Sequence, residues 1–439
     1  MFSDLFFLQN SAIPAQDILV YFGHRQAPLT ERDWNDLRGQ GVSAVVTNPL
    51  ATSTPHAPLF CHKKDKMAEH ILPYQTDGCQ NILNDQWLQR YTTDYHRRVN
   101  YWTDFVTQNN VKIHVTWFKY NPDYCAKMDA LRKTGGIGIV YQRSCEFLLT
   151  PHWLFTMADV FFGFSKLGVD GQDRNSIIPY YVITGFLGDS KFGLLKKQAN
   201  AVRDRLKNNG AKRITAYFDE HVKNHPRWNL SYHETLEQYS FLLNKVLENP
   251  WFGLILKPKV PATLRDRLGS VSGLLHQAEK TGRCFVFEEG EPQGSYPPAA
   301  ASLGADIAIH GHLVAATAGI ESALAGTPTL LVDSENTNNS PLYNLLGKDR
   351  VIFKDMPSLW QACMEHWDSP GGIPGFADWS QAFNELDPFR DGRAAERMGT
   401  YLKWLIEGFK AKLPRETVLA DAAERYSEIW GKDKILAIN

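Results

Sequence analysis

Hydrophobic residues in the first half of the chain fall in short runs, separated by longer stretches in which apolar and polar residues alternate with helical spacing. Short apolar runs that end in small or polar residues predict buried parallel strands. The predicted strands are Ile18–Phe22, Val42–Thr47, Lys112–Trp117, Ile137–Tyr141, Asp159–Phe164 and Tyr180–Gly185, and the predicted helices cover residues 30–39, 86–108 and 123–133. This alternation predicts a mostly parallel sheet covered by helices.

The second half repeats the alternation and then becomes helical. It starts after a helix predicted over residues 191–208. Its own predicted helices cover residues 231–248, 262–280 and 297–303, and its predicted strands are Arg213–Phe218, Gly253–Leu256, Arg283–Phe287, Ala305–Ile309 and Thr329–Val332. Residues 357–437 are predicted to form helices separated by a Pro/Gly-rich loop. We therefore expect an α/β protein with a Rossmann-like N-terminal domain (1–210), a Rossmann-like C-terminal domain (211–390) and C-terminal helices (391–439) that pack back on the N-domain.

Composition narrows the class of protein. A chain of 439 residues with 43% hydrophobic and 22% charged residues is typical of a globular protein with more than one core. Because the net charge is −1, a basic surface for nucleic acid is not expected. The six cysteines are scattered, as in a reduced cytoplasmic protein. The N-terminus has no basic region or cleavage site, and no apolar run is long enough to span a membrane, so we expect membrane association to be peripheral at most.

The stretch from His310 to Asp333 has the strongest chemical pattern. A buried strand leads into a loop of small residues, and a helix is predicted to open near Thr317–Ile320. The free N–H groups and the dipole at a helix start favour a diphosphate, and the hydroxyls of Thr317 and Ser322 would add donors. Glu321, predicted in the first helical turn, could accept the hydroxyls of a ribose. An ordinary β-α-β unit also contains such small residues, so that structural alternative stays open.

A resemblance to a known family rests on these residues. The series Gly319-x-Glu321-x-Ala323-x-Ala325-Gly326-x-Pro328 resembles the donor-site motif of GT-B glycosyltransferases and of the related sugar-nucleotide 2-epimerases. The downstream runs, from Ser340 to Tyr343 and from Asp387 to Tyr401, are similar to those of bacterial surface-polysaccharide glycosyltransferases. The resemblance implies two Rossmann-like domains facing a cleft, with a nucleotide-sugar donor held by the acid at the ribose and by the small residues, Gly319 included, at the phosphates.

Two further segments carry part of this resemblance. Lys257-Pro258-Lys259 is similar to an element of CDP-glycerol and CMP-sugar transferases in which basic residues face the donor phosphate, although a Lys stands here where those families have a His. Glu289, in Glu288-Glu289-Gly290, follows the next predicted strand, where GT-B enzymes contact the nucleobase. A solvated loop is the alternative interpretation of both segments.

Candidates for the catalytic base are predicted to lie at strand ends on the cleft side. They are His24, Glu146, Asp189, Asp219 and Glu220. His310 and His312 are predicted to line the donor pocket, because a metal pair would need a third ligand that the sequence does not indicate. A structural role for one of the two histidines is the alternative. We expect no metal and no cofactor, and the chain contains no Asp-x-Asp triplet.

The leading hypothesis is therefore a glycosyltransferase that moves a sugar from a nucleotide donor to a glycan, glycolipid or glycoprotein acceptor. One alternative is a sugar-nucleotide epimerase or hydrolase on the same fold. Another is a non-catalytic partner in a polysaccharide assembly complex. The sequence does not decide the donor base, the sugar, the acceptor or the stereochemical outcome.

Overall fold

The structure is a computed structural model. It describes the backbone of residues 20–22 and residues 85–108, 110–120, 122–145, 155–170, 172, 175–222, 231–288, 296–314, 316–337 and 340–438. The helix predicted over residues 30–39 and the strand Val42–Thr47 lie outside the described residues, as do three candidate site residues, His24, Glu146 and Glu289.

The first sheet has six strands in the order β1-β2-β3-β4-β5-β12. They are β1 (Val20–Phe22), β2 (Ile113–Thr116), β3 (Ile137–Tyr141), β4 (Val160–Gly163), β5 (Ile178–Ile183) and β12 (Ile435–Ile438). All neighbours are parallel except β5 and β12. Every residue of β2, β3 and β4 is buried, as expected for parallel strands with helices on both faces.

The second sheet has six parallel strands in the order β11-β10-β9-β6-β7-β8. They are β6 (Arg213–Phe218), β7 (Phe252–Lys257), β8 (Cys284–Val286), β9 (Ile307–His310), β10 (Thr329–Val332) and β11 (Ile352–Phe353). The chain order reverses between the neighbours β6 and β9, which makes this the switch point of the sheet. Ligands of such sheets bind beyond the carboxyl ends of the strands at this point.

Helices cover both sheets. In chain order they are α1 (Asp85–Gln108), α2 (Pro122–Lys133), α3 (Leu167–Asp170), α4 (Phe192–Asn208), α5 (Tyr232–Glu248), α6 (Leu264–Leu268), α7 (Ser272–Lys280), α8 (Ala299–Ser302), α9 (Thr317–Leu324), α10 (Pro341–Leu346), α11 (Met356–Asp368), α12 (Phe383–Leu386), α13 (Ala394–Lys410) and α14 (Arg415–Trp430). None of these helices, within the described ranges, is long and apolar enough to cross a membrane.

Three segments differ from the sequence prediction. The helix predicted over residues 262–280 is divided into α6 and α7, because Gly269 adopts a φ of +51°, which ends the first helix. Helix α4 precedes the predicted boundary at residue 210, yet its residues Leu195 and Val202 pack in a core with Ile214 of the second sheet. The C-terminus, predicted to be helical to residue 437, ends instead in the strand β12.

The C-terminal segment crosses back to the first sheet. Strand β12 pairs antiparallel with β5 at the sheet edge. The Tyr426 hydroxyl donates a hydrogen bond of 2.7 Å to the carbonyl oxygen of Ile183, and the Arg415 guanidinium is paired with the buried Asp159. These contacts fix α13, α14 and β12 on the unit that contains the first sheet.

Candidate functional site

The register of the second sheet brings the ends of its central strands together. Phe218 at the end of β6 pairs with His310 of β9 on one side and with Lys257 of β7 on the other. Asp219 and Glu220 directly follow Phe218. Residues that are far apart in the sequence therefore meet at the carboxyl edge of the sheet.

Asp219 is fully engaged in hydrogen bonds at this edge. Its carboxylate accepts from the hydroxyl of Tyr239 at 3.0 Å, from the backbone N–H of Lys259 at 2.6 Å and from Arg267 at 2.9 Å. The side chain is wholly buried, so the ion pair with Arg267 is shielded from water. Asp219 holds the loop after β7 against the end of β6.

Glu220 contacts the same loop through the side chain of Lys259. Its carboxylate is paired with the ammonium group of Lys259, and it lies 3.7 Å from Nε2 of His310, which is an ion-pair distance and too long for a hydrogen bond. Burial would raise the pKa of Glu220, but Lys259 and His310 outweigh that effect and lower its pKa to about 2. Glu220 is therefore a carboxylate at neutral pH and a weak base.

The two histidines at the end of β9, His310 and His312, are both buried, and part of their hydrogen-bonding capacity is unused. Nδ1 of His312 lies 2.9 Å from Oε1 of Glu335, which follows β10. Among the described residues, both ring nitrogens of His310, Nε2 of His312 and Oε2 of Glu335 have no partner. The pKa of His310 is lowered, chiefly by burial, so its imidazole is neutral at pH 7.

Gly311 separates the histidines because no larger residue fits there. A Cβ atom at this position would lie 2.2 Å from Oε1 of Gln238 and 2.7 Å from the hydroxyl of Tyr217. That hydroxyl donates to Oε1 of Gln238 at 2.7 Å, and Nε2 of Gln238 donates to the carbonyl oxygen of Gly311 at 2.9 Å. This buried network fixes the turn formed by His310, Gly311 and His312, which we call the histidine turn.

Helix α9 begins with an open N-terminus beside the histidine turn. Ala316, the residue before it, has a left-handed φ of +47°, and no side chain caps the helix. A left-handed alanine costs about 1–2 kcal/mol, and such strain is concentrated at functional sites. The uncapped N–H groups and the helix dipole are suited to an anion.

The hydroxyls of Thr317 and Ser322, predicted as extra donors to an anion at the start of α9, have different surroundings. Oγ1 of Thr317 accepts a hydrogen bond of 2.9 Å from the backbone N–H of Cys145, which lies in the loop after β3. This contact joins the carboxyl edge of the first sheet to the start of α9. The Ser322 hydroxyl donates instead to the carbonyl oxygen of Ala318 at 2.7 Å, so its proton is used within the helix. Gly319 is required for packing, because a Cβ atom there would lie 2.6 Å from Leu331.

Glu321 lies in the second turn of α9, one turn later than the sequence predicted, because the helix already begins at Thr317. Its Oε1 accepts a hydrogen bond of 2.9 Å from the backbone N–H of Ala299. Burial raises the pKa of Glu321 to about 7, although that hydrogen bond and the charges of Lys191 and Lys257 oppose the rise. A buried acid balanced between its two protonation states is typical of a functional site.

Lys257 supplies a second buried charge near Glu321. Its ammonium group donates to the carbonyl oxygen of Pro258 at 2.8 Å. Burial lowers its pKa to about 8, against the opposing charges of Asp219 and Glu321. Lys259, in contrast, is exposed, and its ammonium group is paired with Glu220.

Asp189 lies in the segment that connects β5 of the first sheet to α4, apart from the histidine turn. It begins a short 3-10 helix before α4. Burial raises its pKa to about 7, and the negative charges of Asp387 and Asp391 add to the rise. Asp387 accepts a hydrogen bond of 3.0 Å from the backbone N–H of Phe186, so this cluster belongs to the connection between the units.

Three site residues were not predicted from the sequence: Lys191, Asp333 as a side-chain acceptor, and Glu335. Asp333 accepts from the Tyr343 hydroxyl at 2.6 Å and from Thr337 at 2.9 Å, which shapes the loop after β10. Asp333 and Glu335 directly follow a buried strand, so the strand-end rule applied to the other candidates would have found them. No group of three or more His, Cys, Asp or Glu residues in the described ranges could hold a metal ion.

Comparison with solved structures identifies the fold. No family model matches the sequence, and no characterised protein matches it in sequence. Among solved structures, the chain is similar to a putative UDP-N-acetylglucosamine 2-epimerase from Listeria monocytogenes, with 14% identity over 90% of this chain and 97% of that one and a TM-score of 0.50. The two facing parallel α/β units, with the last helices returned to the first unit, make this a GT-B fold.

Two other solved structures match over most of their length. One is Anabaena Alr3699/HepE in complex with UDP and glucose, at 10% identity over 93% of this chain and 99% of that one, with a TM-score of 0.43. The other is the wall teichoic acid polymerase TagF, at 8% identity over 90% of each chain and a TM-score of 0.48. At these identities the likeness concerns the fold and leaves the reaction to the site itself.

Proposed function

We propose that this protein is a cytoplasmic, metal-independent glycosyltransferase that moves a sugar from a nucleotide-activated donor to a surface glycan or a similar acceptor. The observation that carries the proposal is the carboxyl edge of the second sheet. There, an uncapped helix start, the buried acid Glu321 and the buried Lys257 lie together in a GT-B fold. Each matches one part of a nucleoside diphosphate: its phosphates or its ribose.

In the proposed complex, the start of α9 and Lys257 hold the diphosphate and stabilise the charge that develops as the sugar leaves. Glu321 accepts hydrogen bonds from the ribose hydroxyls. Lys259 lies on the loop that Asp219 fixes, and we propose it as a second phosphate contact. The nucleobase is proposed to contact Glu289.

The acceptor is proposed to bind the first unit. The Cys145–Thr317 hydrogen bond brings the end of β3 to the start of α9, and Glu146 is the next residue in the sequence. We therefore propose Glu146 as the base to test first, with His24 as the second. The contacts of Asp219, the low pKa of Glu220 and the position of Asp189 favour supporting roles for those three.

A thermal-shift screen against UDP, GDP, CDP, CMP and dTDP tests the donor site. At about 100 times Kd a ligand stabilises the folded protein by roughly 2.7 kcal/mol, which gives a clear rise in Tm. We expect one nucleotide to raise Tm and the Glu321→Ala variant to lose that rise, each protein being compared with itself without ligand. If no nucleotide changes Tm, the donor site is refuted.

A second candidate is a sugar-nucleotide epimerase or hydrolase, which the match to the Listeria protein favours. Incubation with the nucleotide sugar alone separates the two. A transferase gives little turnover without acceptor, whereas an epimerase or hydrolase gives a new product. Binding without any turnover, with or without a panel of acceptors, would instead favour a non-catalytic partner in glycan assembly.

A further inference from the structure

The histidine turn after β9 has a hydrogen-bonding capacity that the described protein does not use. His310 and His312 are completely buried. Both ring nitrogens of His310 and Nε2 of His312 lack a partner among the described residues, and so does Oε2 of Glu335. Because buried polar atoms without partners cost free energy, such a group of atoms is typical of a site that a ligand completes.

The charged groups around the histidines come from three strand ends. Glu220, after β6, lies 3.7 Å from His310 and stays a carboxylate, and Lys259, after β7, is paired with it. Glu335, after β10, contacts Nδ1 of His312. Burial lowers the pKa of His310, its neighbours His312 and Lys259 act in the same direction, and Glu220 opposes them.

A bound diphosphate diester would change both the hydrogen bonding and the charge around His310 and His312. Its oxygens only accept hydrogen bonds, and an imidazolium offers two N–H donors where a neutral imidazole offers one. A new negative charge beside a histidine also favours the charged imidazolium. A ligand that places phosphate oxygens against this turn therefore both satisfies the unused nitrogens and draws a proton to them.

Building on the proposed function, we infer that binding of the nucleotide-sugar diphosphate takes up one proton into the His310–His312 pair, and that Glu335 positions His312 for this contact. The proton comes from the buffer and stays on the imidazole while the donor is bound. Donor affinity is thereby coupled to pH through residues that do not react with the sugar.

The direction of the pH dependence follows from the two states. Without ligand the pKa of His310 lies below its usual 6.5, and the bound diphosphate raises it. Between those two pKa values the complex carries the extra proton and the free protein does not. Across that interval Kd weakens with rising pH, by up to about tenfold per pH unit.

Isothermal titration calorimetry near neutral pH, in two buffers of different ionisation enthalpy, counts the protons. The probe is whichever of UDP-glucose, GDP-mannose, CDP-glycerol and dTDP-glucose binds most tightly, because their diphosphate diesters do not titrate near neutral pH. We expect the wild type to take up close to one proton and the His310→Gln variant close to none. His233→Gln, which changes an exposed histidine on α5, is the matched control and should take up the same number as the wild type.

Glu335→Gln tests the positioning role. We expect it to weaken donor binding and to change the slope of Kd against pH, and Glu335→Asp to restore part of both. A Kd whose dependence on pH is identical in Glu335→Gln and the wild type overturns this part of the inference.

The outcomes separate the inference from the proposed function. Binding with no proton uptake in the wild type, or with uptake unchanged in both His310→Gln and His312→Gln, overturns the inference and leaves the donor site standing. If none of the four probes binds, both fail. If the His310→Gln variant does not fold, His312→Gln gives the same comparison, and a wild-type Kd that is constant from about pH 6 to pH 8 also contradicts the inference.

Discussion

Glu321→Gln is expected to stabilise the folded protein while it removes donor binding. Burial raises the pKa of Glu321 from 4.5 to about 7, so keeping it charged in the folded state costs free energy. At 1.36 kcal/mol per pKa unit, that cost is about 3 kcal/mol above pH 7, about 1.4 kcal/mol near pH 5.5, and about zero below pH 4. The amide is never charged and keeps an oxygen for the N–H of Ala299.

The readout is the free energy of unfolding of the variant minus that of the wild type. Because both pKa values are fixed by the site, this difference should grow by about 2 kcal/mol between pH 5.5 and pH 8.5. A constant cost of packing the amide cancels in that comparison. Urea denaturation followed by tryptophan fluorescence at the two pH values measures it, with an unchanged m-value as the check on each transition.

The matched control is Glu428→Gln, which removes an exposed carboxylate from α14 and should leave the stability difference the same at both pH values. A Glu321→Gln difference that is constant with pH would refute the reasoning, because it would mean that Glu321 titrates as in the unfolded chain. The same variant should fail to gain stability from the nucleotide that stabilises the wild type.

Three other changes have expected results. Gly311→Ala should lower stability by about 1–3 kcal/mol, seen as a lower Tm, because its Cβ would overlap the Gln238 side chain; an unchanged Tm would contradict the close packing. Asp219→Asn leaves Arg267 without its buried partner and should cost about 3–5 kcal/mol in urea denaturation, and an effect under 1 kcal/mol would show that the pair is solvated. Thr317→Val removes the acceptor of the Cys145 N–H, so it should lower Tm as well as weaken nucleotide binding, and equal affinity would argue against phosphate contact at this position.

Local patterns predicted the second unit closely. The strands Arg213–Phe218 and Thr329–Val332 have the bounds that the sequence predicted, because short, mostly apolar runs between polar residues are typical of strands in a covered parallel sheet. The helix predicted over residues 262–280 was wrong in the middle. A left-handed glycine interrupts it, and helical spacing of apolar residues on both sides conceals that break.

Most residues of the candidate site were named from the sequence, but the contacts among them were not predicted. Strand ends are visible in the sequence, so Lys257, Glu220 and His310 could be proposed together. Which of them pair, and the part that Glu335 plays, depend on the strand order β10-β9-β6-β7, which no local pattern specifies. The strand order places Asp219 beside the segment that follows β7. The packing of that segment then directs the donors of Arg267 and Lys259 to the Asp219 carboxylate.

The sequence by itself determined the two α/β halves and the position of Glu321 in a helix, because each depends on residues that are neighbours along the chain. Diphosphate binding by the segment from His310 to Asp333 stays a prediction. The tertiary structure alone decided that α4 belongs to the second sheet, that β12 closes the edge of the first, and that Cys145 meets Thr317. The tertiary structure also decided the protonation states of the buried acids. The same carboxyl group has a pKa of about 2 in Glu220 and about 7 in Glu321, because a pKa is set by burial and by charges that the fold brings from distant parts of the chain.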